Sequence, residues 1–335
     1  MTDSRRMVVA VDDGFNLTKC YCGNGRKTVV KSRVKVGAAD SISLGDGEKK
    51  VFEYQTDGME YTAGDVQGVP TMSDEYPTSP QNRVVVHHAM HRAGLSGQRV
   101  ELVTSLPIRL FYRKGERNPK NEDLISSKKQ NLAVAVRSMD LPAIEVGGTQ
   151  EVMPEAVSVF FDYAIQETDD GPVRDKARGE HAIGVIDIGG RTTDFATISD
   201  KRLDFSRSGS ANLGILKIHE ELKEAIISKH DLEDLSDSVV DRAMQSGRVK
   251  LRNREFDVSP IIDQLKGQLA SSIRAHANRY FGSGAELDRI LLIGGGSVAL
   301  ASFIEGWYSG DQLLAVEDPV FANARGMYKY QRYVI

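Results

Sequence analysis

Cysteine is scarce in this sequence. The 335 residues include two cysteines, Cys20 and Cys22, separated by one residue. Two cysteines cannot build a disulfide framework, so their number favours a reducing compartment such as the cytoplasm. Residues i and i+2 of a strand share a face, but no further metal ligands lie near this pair in the sequence. A metal site is therefore not expected here.

Long apolar runs are also missing. No stretch approaches the roughly 20 apolar residues that a membrane-spanning helix needs. Arg5 and Arg6 precede an apolar run, as they do in a twin-arginine signal. The run Met7–Val11 stops after five residues at Asp12, whereas the apolar part of a signal sequence has roughly 7–15. We therefore expect neither a signal sequence nor contact with a membrane.

The chain has no excess of positive charge. Its formal net charge is −4, which gives no general electrostatic reason to bind the phosphates of nucleic acid. Any contact with DNA is therefore expected to go through another protein.

The length and composition predict a two-domain globular protein. Hydrophobic residues make up 40% of the chain and charged residues 27%, as in soluble globular proteins, and 335 residues suit two domains. Strands lead each half and helices follow, which indicates an α/β fold with covered sheets. We place domain I at 1–166, with a small insertion at about 37–82 and a C-terminal return at 320–335. Domain II is 167–319, and its polar first residues, 167–181, are the expected linker.

Two strand-like segments run into the same short turn about half a chain apart. Val8–Gly14 places Asp12 two residues before Gly14, and Gly184–Gly190 places Asp187 two residues before Gly189. Superposing the segments also pairs Thr18 with Thr193. This repeat indicates two similar halves that face each other and hold a nucleotide triphosphate and its metal from both sides.

The residue types of these turns suit phosphate chemistry. A glycine lets the backbone approach a phosphate, and successive N–H groups form an anion-binding concavity. Mg²⁺ takes few protein carboxylates, so Asp12 and Asp187 would suffice, and Lys19 could reach a phosphate as a point charge. Taken singly, Asp-Gly is also a common hairpin turn, and Lys19 could be an ordinary solvated lysine.

A third glycine-rich turn follows the predicted buried strand Arg289–Ile293. Gly294, Gly295 and Gly296 precede a predicted helix, which is typical of a phosphate- or nucleoside-binding turn. The segment also fits the dinucleotide-binding fingerprint, with acidic residues about 20 positions further on. However, only a short tail remains after these acids, and that interpretation leaves the two Asp turns unexplained. The chain has no Gly-Lys pair, which excludes a P-loop.

Glu155 follows Pro154, and the pair is predicted to open an apolar helix that runs to Ile165. A carboxylate in the first turn of a helix commonly compensates the helix dipole. It could instead orient the water that attacks a γ-phosphate.

His87 and His91 share one face of a predicted helix, 83–94. The segment lacks the glutamate of a His-Glu-x-x-His zinc motif, and no third ligand is evident. A structural role is therefore expected for these histidines.

Three segments together resemble the phosphate-1, phosphate-2 and adenosine motifs of the actin-like ATPase superfamily, which includes heat-shock chaperone ATPases and sugar kinases. They are Asp12-x-Gly14…Lys19, Asp187-x-Gly189-Gly190 and Gly294-Gly295-Gly296. Further segments, in the same order over nearly the whole chain, are similar to plasmid-segregation actins of the ParM/StbA type. These are Val9–Gly14, Lys50–Tyr54, Val86–Ala89, Leu106-Pro107, Lys128-Lys129-x-Asn131, Val152–Glu155 and Asn323–Tyr328.

The resemblance implies a two-domain actin-like α/β fold, built from duplicated ribonuclease H-like domains around a central nucleotide cleft. It implies an ATPase that polymerises with bound nucleotide and moves copies of a low-copy plasmid apart. The implied cofactors are ATP, or GTP, with Mg²⁺. The implied partners are further copies of the chain and a ParR-like adaptor on centromere-like plasmid DNA, with no direct contact to nucleic acid or membrane. The alternative is a sugar or metabolite kinase of the same superfamily, although no sugar-kinase signature is evident.

The resemblance also assigns roles to residues. Asp12 and Asp187 are implied to bind metal and phosphate, and Glu155 is implied to be the hydrolysis glutamate, acting with Asp187. The other implied nucleotide-binding residues are Gly14, Lys19, Gly189, Gly190, Thr192, Gly294, Gly295 and Gly296. Two positions depart from the family pattern, because Phe15 and Arg191 stand where small residues are common.

Overall fold

The computed structural model of the protein describes residues 7–38, 51–66, 73–113, 115, 119–147, 150–168 and 170–335. Arg5, Arg6, Lys50 and parts of the expected insertion lie outside these ranges. Within the described ranges, no helix has the length and apolar character needed to cross a membrane.

The N-terminal half contains ten strands and four helices within its described residues. The strands are β1 (Met7–Asp13), β2 (Leu17–Tyr21), β3 (Lys27–Lys31), β4 (Val34–Val36), β5 (Val51–Thr56), β6 (Met59–Gly64), β7 (Arg99–Leu106), β8 (Arg137–Ser138), β9 (Glu145–Val146) and β10 (Glu151–Pro154). The helices are α1 (Pro80–Arg92), α2 (Ile108–Phe111), α3 (Glu122–Ala133) and α4 (Val159–Ala164).

The main sheet of this half has the strand order β10-β7-β1-β2-β3, and β9 also pairs with β7. Strands β10, β7 and β1 are parallel, and β1, β2 and β3 form antiparallel neighbours. The hairpin from β2 to β3 turns at Gly23-Asn24-Gly25, where all three residues have positive φ. A buried cluster around Val9, Val11, Leu102 and Met90 fills the space between this sheet and α1.

A second, smaller sheet extends from the first half. Its order is β4-β6-β5-β8, and β5 and β6 form a hairpin at Asp57-Gly58, where both residues have positive φ. The expected insertion contributes β5 and β6 to this sheet, and its described residues 73–82 contain a 3-10 turn and the start of α1.

The C-terminal half begins with a short hairpin and a helix. These are β11 (Ile165–Thr168), β12 (Gly171–Arg174) and α5 (Lys176–Glu180). The remaining strands are β13 (Ile183–Ile188), β14 (Thr193–Ser199), β15 (Arg202–Leu203), β16 (Gly209–Ala211), β17 (Arg248–Leu251), β18 (Arg254–Asp257), β19 (Arg289–Ile293) and β20 (Leu313–Ala315). The remaining helices are α6 (Ile215–His230), α7 (Asp237–Ser246), α8 (Ser259–Phe281), α9 (Gly295–Ala299), α10 (Ala301–Ile304) and α11 (Ala322–Tyr333).

The main sheet of the second half repeats the first. Its order is β15-β14-β13-β19-β20, with β16 also on β14. An antiparallel hairpin, β13–β14, is joined to two parallel strands, β19 and β20, as β1–β2 is joined to β7 and β10. The turn residues agree in register, because Asp12 pairs with Lys19 and Asp187 pairs with Asp194. The predicted duplication is thus present in the strands themselves.

Helix α11 returns to the first half and packs against α4 and β1. Gly326 makes the approach possible, because a Cβ there would overlap with the carbonyl of Ser158. Arg325 and Lys329 both bind the carboxylate of Asp162 on α4, at 2.7 Å and 2.8 Å.

Three predicted elements differ from the observed ones. Pro154 does not open a helix but ends β10, and α4 begins only at Val159, so Glu155 lies in a turn. The expected linker, 167–181, contains most of the β11–β12 hairpin and α5, because antiparallel backbone pairing orders its polar first residues. The predicted strand Leu203–Arg207 is only the two-residue β15, followed by a 3-10 turn.

The histidines of α1 lie inside the first half rather than on its surface. His88 Nδ1 is 2.9 Å from the Tyr54 hydroxyl, and His91 Nδ1 is 2.9 Å from Ser96 Oγ. Neither ring nitrogen of His87 has a hydrogen-bond partner among the described residues. Burial lowers the pKa of His87 and of His88 to about 3, and that of His91 to about 4.

These buried neutral imidazoles predict acid sensitivity. The folded-state pKa of His87 is below the unfolded value, so the unfolded chain binds a proton first as the pH falls through 6.5. His87 should therefore cost about 2 kcal/mol of unfolding free energy between pH 7 and pH 5. In urea titrations, the unfolding free energy of His87→Leu should fall by about 2 kcal/mol less than that of the parent between pH 7 and pH 5. The same substitution at His230, which is partly exposed at the end of α6, is the control; an equal pH dependence for His87→Leu and the parent would contradict the prediction.

Candidate functional site

All eleven residues that the sequence predicted for the site line one pocket between the two halves. Asp12, Gly14 and Lys19 come from the β1–β2 hairpin, and Glu155 follows β10. The C-terminal half contributes Asp187, Gly189, Gly190, Thr192, Gly294, Gly295 and Gly296. The sequence therefore located the pocket, although it did not identify every residue in it.

The two Asp-Gly hairpins meet face to face. A Cβ on Gly190 would overlap with the side chain of Asn16, so the loops touch across the cleft at a position where only glycine fits. Gly189 N donates to Thr192 O at 2.9 Å, which closes the second turn tightly. The pocket between the loops measures about 200 Å³, which is smaller than the roughly 300–1,000 Å³ of most ligand pockets. The two hairpins therefore leave little space between them.

The third loop packs directly behind Asp187. Gly294 has φ +84°, in the left-handed region that favours glycine. A Cβ there would meet the Asp187 carboxylate at 2.6 Å, and one on Gly296 would overlap with Ile188. Both glycines are therefore needed for α9 to begin against the end of β13.

Glu155 is held by its turn rather than by a helix. Glu155 N donates to Leu106 O at 2.8 Å, which fastens the turn to the end of β7. The next residue, Ala156, has φ +62°, a left-handed conformation that is uncommon for a residue with a Cβ. Ser105 Oγ is 3.3 Å from Glu155 Oε1 and 3.5 Å from Asp12 Oδ1. The turn thus aims Glu155 into the pocket beside the first hairpin.

Asn323 joins this turn to the second hairpin. Its Nδ2 donates to Asp187 Oδ2 at 2.6 Å, while its Oδ1 accepts from Ala156 N at 3.0 Å and from Ser158 Oγ at 2.9 Å. All of these bonds are buried. One amide side chain on α11 therefore sets the distance between the Glu155 turn and Asp187.

The pocket concentrates negative charge. Burial first, and then the charges of the Asp12 and Asp194 carboxylates, raise the pKa of Asp187 to about 7. Burial also raises the pKa of Glu155 well above its usual value, with Asp194 and Asp12 as the next causes. Lys19 Nζ donates to Asp12 Oδ2 at 3.0 Å. Burial would lower the pKa of Lys19, but the carboxylates around it, Asp12 first, hold it above the usual value.

This charge balance fits a bound cation. Three carboxylates, those of Asp12, Glu155 and Asp187, line the pocket with two cations, Lys19 and Arg191. The charge of Asp194 also acts on Glu155 and Asp187, so the carboxylates outnumber the cations. Among the described residues, no group of three or more His, Cys, Asp or Glu side chains forms a protein-only metal cage. Mg²⁺ does not need one, since it keeps several waters and binds one or two carboxylates together with phosphates.

Sequence reasoning missed Asp194 and Asn323. Asp194 is buried and accepts from Ile108 N at 3.0 Å and from Thr192 Oγ1 at 3.1 Å. The internal repeat contained a signal for it, because Asp194 stands in the second hairpin where Lys19 stands in the first. Asn323 had no such signal, since only the return of α11 brings it to the pocket.

Two family models match the chain. Residues 7–166 match the N-terminal domain of the plasmid segregation protein ParM (StbA). Residues 185–306 match the C-terminal domain of the archaeal MreB-like actin homologues. No curated protein matches the chain in sequence.

Solved structures resemble the whole chain. An archaeal actin homologue is 20% identical with a TM-score of 0.75, over 97% of this chain and 99% of that chain. Its complex with ADP is 18% identical with a TM-score of 0.73, over 96% of this chain and 98% of that chain. The ParM of a 15-stranded filament from Clostridium botulinum is 18% identical with a TM-score of 0.76, over 97% of this chain and 98% of that chain. At these identities the likeness shows the fold, which confirms the predicted two-domain actin-like α/β architecture.

The three bonds of Asn323 generate a stability prediction. Asn323→Leu keeps a similar volume but leaves Ala156 N–H and the Ser158 hydroxyl buried without their acceptor. We expect a loss of about 2–4 kcal/mol in unfolding free energy, since each orphaned buried group costs roughly 1–3 kcal/mol. Asn278→Leu, on the exposed face of α8, is the matched control in the same denaturant titration. Equal stabilities for the two variants would show that Asn323 does not fasten the turn.

Proposed function

We propose that this chain, whose residues 7–166 match the N-terminal domain of ParM (StbA) and whose fold is actin-like, is an ATPase that polymerises with bound nucleotide and segregates low-copy plasmids. The observation that carries the proposal is the meeting of two Asp-Gly hairpins and the Glu155 turn around one cleft. A sugar or metabolite kinase is the alternative, but no observation favours it.

Nucleotide binding follows from the three loops. Backbone N–H groups of the Gly14 and Gly189 turns can donate hydrogen bonds to the phosphates from opposite sides of the cleft. The Gly294–Gly296 loop can bind the nucleoside. Lys19 supplies the positive charge for the phosphates. The archaeal actin homologue of the same fold was solved with ADP, which supports a nucleotide in this cleft; ATP is our first expectation and GTP the second.

Asp12 and Asp187 would hold the magnesium ion, one from each half. When bound, Mg²⁺ would neutralise phosphate charge and thereby the surplus charge of the pocket. Glu155 then has the position to accept a hydrogen bond from a water near the terminal phosphate, and Ser105 keeps its carboxylate oriented. Asp187 supports the same step by keeping the second loop in place through Asn323.

Polymerisation follows from cleft closure. A nucleotide that contacts both halves favours the closed state over the open one. A head-to-tail interface that does not close into a ring produces a helical filament, and the Clostridium botulinum ParM of the same fold was solved as a filament. We propose that copies of this chain are its first partner and that a ParR-like adaptor links the filament to plasmid DNA.

The two free thiols, Cys20 and Cys22, agree with a cytoplasmic location.

Sedimentation tests the proposal. With Mg²⁺ and ATP the protein should pellet as a polymer, whereas with ADP it should stay in the supernatant. Asp187→Ala should bind no Mg²⁺-ATP and should not pellet, while Asp311→Ala, whose side chain is almost fully exposed, should behave as the parent. A protein that never pellets but transfers phosphate to an added sugar would establish the kinase alternative instead.

Glu155→Ala tests the hydrolytic role. The variant should still bind ATP and pellet, because the phosphate-binding loops remain, but phosphate release should fall by roughly 100-fold or more, the usual range for loss of a positioned base. Filaments should therefore last longer in the electron microscope. A parental rate of phosphate release in this variant would rule out Glu155 as the residue that orients the water.

A further inference from the structure

The two residues that depart from the family pattern contact each other across the cleft. Phe15 belongs to the first hairpin and is 7% exposed. Arg191 belongs to the second hairpin, and its guanidinium carbon lies 5.1 Å from the centroid of the Phe15 ring. A guanidinium over an aromatic face at this distance is a cation–π contact. Phe15 and Arg191, the two residues that differ from the family pattern, are therefore contact partners.

An ion pair continues this contact into the first half. Arg191 Nη1 donates to Asp74 Oδ1 at 2.8 Å, and Arg109 Nη1 donates to Asp74 Oδ2 at 2.8 Å. Arg109 and Asp74 both belong to the first half, so Arg109 holds the carboxylate in place for the arginine that crosses the cleft. The hydrogen bonds from Arg109 and Arg191 lower the pKa of Asp74 to about 2, so the carboxylate stays charged at neutral pH.

The pair joins the two hairpins at the wall of the pocket. Arg191 and Phe15 line the pocket, whereas Asp74 does not. Gly190, the neighbour of Arg191, is already in contact with Asn16, the neighbour of Phe15. The loops therefore have to separate before a nucleotide can leave a pocket of about 200 Å³, and their separation breaks both contacts of Arg191.

We propose that Arg191, stacked on Phe15 and paired with Asp74, is a latch that holds the closed cleft shut and sets the rate at which nucleotide leaves. The proposal rests on the proposed function in one respect, that the cleft binds nucleotide. Arg191 acts here through the two halves of the protein and is not a group that touches the reacting phosphate. Its effect is therefore on exchange and not on the hydrolytic step.

Release of a fluorescent ADP, chased with excess unlabelled ADP, measures the latch. Arg191→Ala and Asp74→Ala should each release the nucleotide roughly threefold to tenfold faster, the range of a partly exposed ion pair with a cation–π contact. The double variant should be no faster than Arg191→Ala, because the two residues form one contact. Arg191→Lys, which keeps the charge but not the planar stacking group, should lie between Arg191→Ala and the parent.

Arg207→Ala is the matched control. Arg207 also comes from the second half and also pairs with a partly exposed carboxylate, that of Glu286 at 2.7 Å, but this pair lies within that half. Its release rate should equal that of the parent. In all of these variants the single-turnover rate of phosphate release should stay within about twofold of the parent, because the latch lies outside the hydrolytic groups.

Two outcomes would overturn the latch. If Arg191→Ala accelerates release but Asp74→Ala does not, Arg191 contacts the nucleotide directly. If both single variants release ADP at the parental rate, the contact has no effect on the cleft.

A measurement without nucleotide separates this proposal from the proposed function. If the parent binds no nucleotide, the function fails, yet the latch still predicts a larger radius of gyration for Arg191→Ala than for the parent in small-angle X-ray scattering. Equal radii of gyration for Arg191→Ala and the parent would overturn the latch proposal, whatever the nucleotide experiments show.

Discussion

Like charges held close together are the constraint on which this structure depends. Asp12, Asp187 and Asp194 are buried and Glu155 is partly buried, all around one cleft. Burial, and after it the charge of each neighbouring carboxylate, makes ionisation harder, and together they raise the pKa of Asp187 to about 7. A fold can keep such a cluster only if rigid elements position it and other groups compensate it. Here the rigid elements are the ends of parallel strands and the turns that follow them.

Compensation comes from few groups, each of which joins separate parts of the chain. Lys19 neutralises one charge from within the first hairpin. The Asn323 amide donates to Asp187 and accepts from the Glu155 turn, so it relieves one carboxylate while it fixes the distance to another. A divalent cation bound beside Asp12 and Asp187 would add positive charge to this cluster.

Ion pairs also join the two halves directly. Arg191 reaches Asp74 on one side, and Lys31 and Arg33 reach Asp241 of α7 at 2.8 Å and 3.4 Å on another. Partly exposed ion pairs of this kind contribute little individually and are screened by salt. Such pairs can separate at little cost in free energy, whereas the buried apolar cluster that contains Val159 and Val185 joins the two halves more firmly.

Local patterns are enough to predict the main strands, the order of the motifs and most of the pocket. Short continuous runs of apolar residues that end at glycine turns are local signals, so β1, β13, β19 and their turns could be predicted from neighbouring residues alone. The Asp-Gly repeat then placed Asp12 and Asp187 opposite each other, since duplicated units that pack as a pair present equivalent residues to a shared cleft.

The remaining features depend on contacts between segments that are distant in the chain. Pro154 is compatible with the first turn of a helix and with the last position of a strand, and the pairing of β10 with β7 selected the strand. Asn323 is about 170 residues from the turn that it holds, and Arg191 finds Phe15 and Asp74 across a cleft that no local pattern describes. Local propensity is encoded within a few residues, whereas a contact between distant segments exists only after both halves have folded and met.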